Sequence, residues 1–80
     1  MTMTIAQAYS VLANAYPEAI HPQTRQSMKV LNGKAKLRAL ATVIQSDADL
    51  AEALAMIPDE ATRATIRGGL VPMLAFVPKE

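Results

Sequence analysis

Residues 34–57 read KAKLRALATVIQSDADLAEALAMI, and this stretch carries the clearest helical pattern of the chain. In each half of it, apolar side chains recur at intervals of three and four residues, which places them on one face of an α-helix. Ser46 stands between the halves, where its side chain can cap a helix, with Asp49 three residues later. The stretch therefore predicts two consecutive helices, over residues 34–45 and 47–57. Their apolar faces consist of Leu37, Leu40, Ala41 and Ile44, and of Leu50, Ala53, Leu54 and Ile57.

The N-terminal part of the chain predicts another helix. Thr4 and Gln7 have the spacing of a capping box, in which each side chain bonds to the other residue's backbone N–H. The helix is expected to end at Tyr16, because Pro17 pushes the preceding residue out of the helical conformation.

A further helix is predicted between Pro22 and Asn32. Proline suits the first turn of a helix, where its missing N–H is not needed. Met28 and Leu31 would face inward, and Gly33 would cap the C-terminus in a left-handed conformation. Asn-Gly is also a hairpin signal, but neither flank alternates between polar and apolar residues, so the helix is favoured.

The C-terminal part begins with a helix capped by Asp59 and ending near Arg67. Two glycines at 68–69 are expected to break it, and a short apolar helix is predicted over residues 71–76. The alternative is one bent continuous helix, because helical spacing of apolar residues continues across the glycines.

Together these patterns predict an all-α fold, a compact bundle of four to five short helices in a single domain of residues 1–80. Helix-forming alanine and leucine are abundant, and only 4% of the residues are aromatic. The predicted centre of the core is Leu12, Leu37, Leu40, Ile44, Leu50 and Leu54.

The composition argues against catalysis, cofactor binding and metal binding. The chain has no cysteine and one histidine, His21, which is expected to be an exposed loop or capping residue. No catalytic, cofactor-binding or metal-ligating residue is predicted, and the protein is expected not to be an enzyme. The first seven residues lack the pattern of a secretory signal, and the longest apolar stretch is far shorter than the roughly 20 residues of a membrane-spanning helix.

Residues 19–46 contain no acidic residue, although the chain as a whole has 8 basic and 7 acidic residues. This basic stretch is interpreted either as a solvated face or as a docking site for an acidic protein surface or for nucleic acid phosphates. No aromatic residue lies among the cations, which disfavours base stacking on single strands. The predicted partner-binding residues here are Arg25, Lys29, Lys36 and Arg38.

The C-terminal segment, residues 70–77, is crowded with apolar residues. Consecutive residues point in different directions around a helix, so some of them are expected to face away from the chain's own core. Leu70, Met73 and Phe76 are therefore predicted to bind another chain, either a second copy in a homodimer or a different protein. The competing interpretation is that the segment closes the base of the bundle.

Leu50-Ala51-Glu52-Ala53-Leu54 followed by Ile57-Pro58 resembles the first helix and turn of a helix-turn-helix repressor. The resemblance covers residues 50–68 and implies a DNA-binding regulator. The helix that would enter the major groove begins with acidic residues, where base contacts are normally made. DNA binding is therefore kept as the alternative function.

The favoured function is a non-enzymatic protein-interaction module: an adaptor, assembly factor or inhibitor that acts by binding a partner surface. Small helical proteins of this composition are common among phage and other mobile-element accessory proteins, which is an association of composition only. The absence of cysteine and of a membrane-spanning pattern favours a cytoplasmic location and no membrane partner.

Overall fold

Four α-helices and two 3₁₀ turns make up the computed structural model, which describes residues 3–79. The Cα radius of gyration is 11.5 Å, close to the value of about 11.6 Å expected for a compact chain of this length. The predicted all-α bundle of four to five short helices is confirmed. The helices are α1 (Ile5–Ala15), α2 (Lys34–Ala41), α3 (Asp47–Ala55) and α4 (Glu60–Leu70), and the 3₁₀ turns are Met28–Val30 and Val71–Met73.

Three helices begin at the side-chain caps that the sequence predicts. At α1, the Gln7 N–H donates to Thr4 Oγ1 over 3.1 Å, and the Thr4 N–H donates to Gln7 Oε1 over 2.8 Å. At α3, the Asp49 N–H donates to Ser46 Oγ over 3.1 Å. At α4, Asp59 Oδ1 accepts from two backbone N–H groups of the first turn. These side chains satisfy helix-end donors that have no partner within the helix.

Asp59 also joins the start of α4 to the start of the described chain. Its Oδ2 accepts from the Met3 N–H over 3.0 Å, and the Thr62 hydroxyl donates to the Met3 carbonyl over 2.6 Å. The hydrogen bonds from Met3 and from the first turn of α4 hold the pKa of the Asp59 carboxyl below its usual value. Asp59 therefore caps α4 and also ties Met3, which lies just before α1, to the start of α4.

The helix predicted between Pro22 and Asn32 does not form. A turn occupies residues 22–24, an isolated antiparallel bridge pairs Ile20 with Ser27, and only Met28–Val30 is helical, as a 3₁₀ turn. Residues 22–27 read PQTRQS, so a helix there would have no apolar stripe to bury. The predicted burial of Met28 and Leu31 is nevertheless confirmed.

Gly33 has a positive φ, but it does not cap the end of a helix. Its φ of 53° and ψ of −124° lie outside the left-handed helical region, and it begins α2 instead. The Ala35 N–H donates to the Asn32 carbonyl over 3.0 Å, which closes a turn around Gly33. A positive φ of this kind favours glycine, so the residue sets the direction in which α2 leaves the preceding loop.

The helix α2 also ends earlier than predicted. The α-helix ends at Ala41, and 3₁₀-type hydrogen bonds carry the chain on to Ile44, which is buried as predicted. Residues 42–44 are all β-branched, which lowers helix propensity because their side chains crowd the preceding turn.

α4 continues through the two glycines, so the predicted break at 68–69 is wrong. The helix ends at Leu70, and the chain then forms the 3₁₀ turn Val71–Met73 rather than a separate helix over residues 71–76. The bent continuous helix is also wrong beyond Leu70. Gly69 lies so close to α2 that a Cβ atom added to it would be 2.7 Å from Leu37 Cδ1. Close packing therefore explains a glycine inside this helix.

The core lies around α2 and α4, which make the most extensive contact between two elements of the bundle. Five of the six residues predicted at its centre are buried, whereas Leu54 is only half-buried beside the C-terminal residues. Four other large residues are fully buried outside the predicted centre, although Met28 and Ile57 were expected to face inward. They are Met28, Ile57, Ile66 and Leu70.

Alanine substitutions at the two α4 glycines are expected to have unequal effects on stability. A Cβ atom at Gly68 meets nothing within 4 Å, so Gly68→Ala should raise the free energy of unfolding by about 0.5–1 kcal/mol through helix propensity. Gly69→Ala should raise it by less, because the Leu37 side chain must move aside to admit the new methyl group, and this cost offsets part of the same gain. Urea unfolding of both variants measures the difference. Equal stabilisation by both would show that α4 does not pack tightly on α2.

Candidate protein-binding surfaces

Arg38 lies exposed on α2 between two surface cavities. One has a volume of about 270 Å³ and borders the loop that contains the 22–24 turn, and the other has a volume of about 220 Å³ and borders the C-terminal residues. Pro22 and Arg38 belong to both cavities, so the two form one continuous surface. We call it the Arg38 surface; its residues are His21, Pro22, Gln23, Arg38, Ala41, Thr42, Met73 and Ala75.

The Arg38 surface joins two features that the sequence predicted separately. Arg38 comes from the basic stretch and Met73 from the apolar C-terminal segment, and both line the second cavity. The 3₁₀ turn Val71–Met73 follows α4 directly and lies against α2, which brings Met73 to this place. Within residues 3–79, Arg38 has no hydrogen bond or ion pair.

His21 holds the turn that forms one wall of the Arg38 surface. Its Nδ1 accepts from the Gln23 N–H over 3.1 Å and from the Thr24 N–H over 3.2 Å. The imidazole proton therefore lies on Nε2. His21 is thus a half-buried loop residue whose side chain stabilises a turn, because the helix that it was expected to precede does not form. Arg25, just after this turn, is exposed and has a φ of 62°, a left-handed conformation that residues other than glycine seldom adopt.

The remaining predicted cations, Lys29 and Lys36, lie on a different surface. They line a cavity of about 170 Å³ with Tyr9, Ser10 and residues 13–14 of α1. Lys36 Nζ donates to the Met28 carbonyl over 2.9 Å, so it holds the first 3₁₀ turn against α2. Positions 36 and 38 are about 200° apart around a helix, which is why the basic stretch divides between two surfaces.

Most of the C-terminal segment packs on the bundle. Leu70 has no exposed surface, so the prediction that it contacts a partner is wrong; as the last residue of α4, it is buried in the core. Met73 and Phe76 are half-buried and pack against that core. Val77 is 90% exposed, so it is the residue of this segment that turns fully away from the bundle.

An apolar groove that the sequence did not predict lies between α3, α4 and the chain end. It has a volume of about 350 Å³, and Leu50 and Leu54 form its base. The backbone N–H of Lys79 donates to Asp47 Oδ1 over 3.0 Å, which holds the last described residues at its edge. The half-burial of Leu54 is the consequence of this groove. The other lining residues are Asp47, Ala51, Arg67, Pro78 and Lys79.

The Tyr16 hydroxyl is buried, and it has no hydrogen-bond partner in the part of the chain that the structure describes. Burial raises the pKa of this phenol, and the charges of Glu52, Asp49 and Glu18 raise it further. The group is therefore neutral at physiological pH and is a poor general base.

In residues 3–79, no three histidine or acidic side chains are placed to hold a metal ion.

The helix-turn-helix resemblance corresponds to α3, the following turn and α4. In this arrangement, the start of α4 carries Asp59, whose carboxylate is occupied by backbone N–H groups, and Glu60. Towards the C-terminal end of α4, the side chains of Ile66 and Leu70 are buried in the core. Negative charge at the end that would approach DNA disfavours contact with phosphates.

The chain matches no protein family model, no curated protein and no solved structure. Among the described residues, the longest helices have 11 residues, and none is long and apolar enough to cross a bilayer.

Replacing His21 tests the turn beside Arg38. His21→Ala removes the acceptor of two backbone N–H groups and should lower the free energy of unfolding by about 1 kcal/mol, whereas His21→Asn supplies another acceptor and should retain most of the stability. Amide hydrogen exchange should accelerate at Gln23 and Thr24 in the alanine variant. Unchanged exchange at both residues would show that the side chain does not hold the turn.

Proposed function

We propose that this chain is a non-enzymatic protein-interaction module that binds an acidic partner through the Arg38 surface. The observation that carries the proposal is the position of Arg38: an exposed cation between two cavities, with Met73 and Pro22 beside it. Arginine and methionine are enriched at protein interfaces relative to the rest of the protein surface.

The preference for an acidic partner follows from charge. The nearest acidic residues in sequence, Glu18 and Asp47, are 20 and 9 positions from Arg38 (38 − 18 and 47 − 38), and no acid lies between them. A partner carboxylate that pairs with Arg38 would bring the partner against the apolar residues beside it, Met73 and Pro22. Coulomb attraction between opposite charges strengthens as such a contact displaces water.

The module would act as an adaptor, assembly factor or inhibitor, because it occupies a partner surface without doing chemistry. We place it in the cytoplasm, in line with a cysteine-free sequence. An origin in a phage or another mobile element is consistent with its small size and helical composition. DNA and a second copy of the chain are the competing partners, and the test below separates them.

Charge reversal at Arg38 tests the proposal. Tagged wild-type chain, Arg38→Glu and the control Lys79→Glu are expressed in the native host and captured at low and high salt. The two variants change the net charge equally, but Lys79 lines the apolar groove on α3 and α4 instead. A protein partner should be retained by wild type and Lys79→Glu and reduced at least about tenfold by Arg38→Glu, equivalent to about 1.4 kcal/mol. Circular dichroism confirms that each variant is helical.

Three results would contradict the proposal. Equal capture by wild type and Arg38→Glu would leave the surface without a role in binding. Recovery of nuclease-sensitive DNA, with capture that falls steeply with salt, would favour the regulator instead. Recovery of the chain alone, as a dimer that Arg38→Glu does not disrupt, would favour self-association elsewhere on the molecule.

A further inference from the structure

We infer that the partner binds through a short segment in which an aspartate or glutamate lies beside a large apolar residue. The inference rests on the proposed function and names the occupant of the same site. The carboxylate pairs with Arg38, and the apolar side chain enters the cavity of about 220 Å³ that Met73 and Ala75 line.

The acidic residue follows from the chemistry of Arg38. A guanidinium is planar and presents parallel N–H donors that match the two oxygens of a carboxylate. Because Arg38 lines both cavities, a group bound to it is positioned at their junction. The carboxylate therefore fixes where the segment crosses the surface.

The apolar residue follows from the second cavity. Four of the six residues that line it are apolar, and the two others are Arg38 and Thr42. Methionine is flexible and polarisable, so Met73 can adapt to leucine, methionine or phenylalanine side chains alike. The apolar residues are Pro22, Ala41, Met73 and Ala75.

The first cavity favours polar groups on the side of the bound segment that faces His21. His21 and Gln23 line it together with Arg38 and Pro22. The Nδ1 of His21 is occupied by the turn, so the group that His21 offers a ligand is the Nε2–H donor. The surface thus changes from apolar on the Met73 side to polar on the His21 side, which gives the bound segment a direction.

A random peptide display library, selected on the immobilised full chain, tests the inference. Enriched peptides should share an acidic residue adjacent to a large apolar residue. A synthetic consensus peptide should lose at least about tenfold in affinity when its acid is changed to the amide, and a similar amount with Arg38→Gln. Arg38→Lys should bind more weakly than wild type, because lysine lacks the paired donors.

A double-mutant cycle locates the apolar residue. The apolar residue of the peptide is changed to alanine, and binding is compared for wild type and Met73→Ala, with Val77→Ala as the exposed apolar control. The peptide change should matter much less in Met73→Ala than in wild type, and Val77→Ala should behave as wild type. Met73→Leu, which conserves volume, shows whether a loss in Met73→Ala comes from folding.

The inference is overturned if the library yields no binder, if enriched peptides lack the acid or the apolar residue, or if the cycle shows no coupling to Met73. A partner captured from the host that depends on Arg38 would then leave the proposed function standing, with a differently shaped ligand. If Arg38→Glu leaves both capture and peptide binding unchanged, the proposed function and the inference fail together.

Discussion

The packing of α4 against α2, with Gly69 next to the side chain of Leu37, holds the centre of the bundle together. A Cβ atom at Gly69 would lie 2.7 Å from Leu37 Cδ1, so a side chain there would require the Leu37 methyl group to move aside. On the same helix, Ile66 and Leu70 are buried in the core. A chain of 80 residues has a small core, and each such contact is a large part of its stability.

The packing of α4 and of the turn that follows it on α2 also brings together the residues of the Arg38 surface. α4 ends at Leu70, one residue after Gly69, and the 3₁₀ turn that follows brings Met73 to α2. Arg38 is the neighbour of Leu37 in sequence, and it points away from the core where Leu37 points in. Leu37 packs in the core, and the next residue, Arg38, is exposed. The cation therefore lies at the same cavity as Met73, an apolar residue from the C-terminal part of the chain.

The sequence predicts those parts of the fold that local chemistry decides. The caps at Thr4, Ser46 and Asp59 and five of the six central core residues were predicted correctly, because a cap or a periodic stripe is a property of neighbouring residues. Gly69 was misread because its environment in α4 is set by Leu37, a residue 32 positions away (69 − 37). The meeting of Arg38 and Met73 was unpredictable for the same reason, since 35 positions separate them (73 − 38).

The most direct test of this account is a nuclear Overhauser spectrum of the methyl-labelled chain. The account predicts cross-peaks from the Gly69 α-protons to a Leu37 δ-methyl group, and from the Met73 methyl group to the side chains of α2 at Arg38 or Ala41. Both contacts should appear in the free protein, because the surface exists before a partner binds. A spectrum without the Gly69–Leu37 cross-peak, or with Met73 in contact with α3 instead of α2, would contradict it.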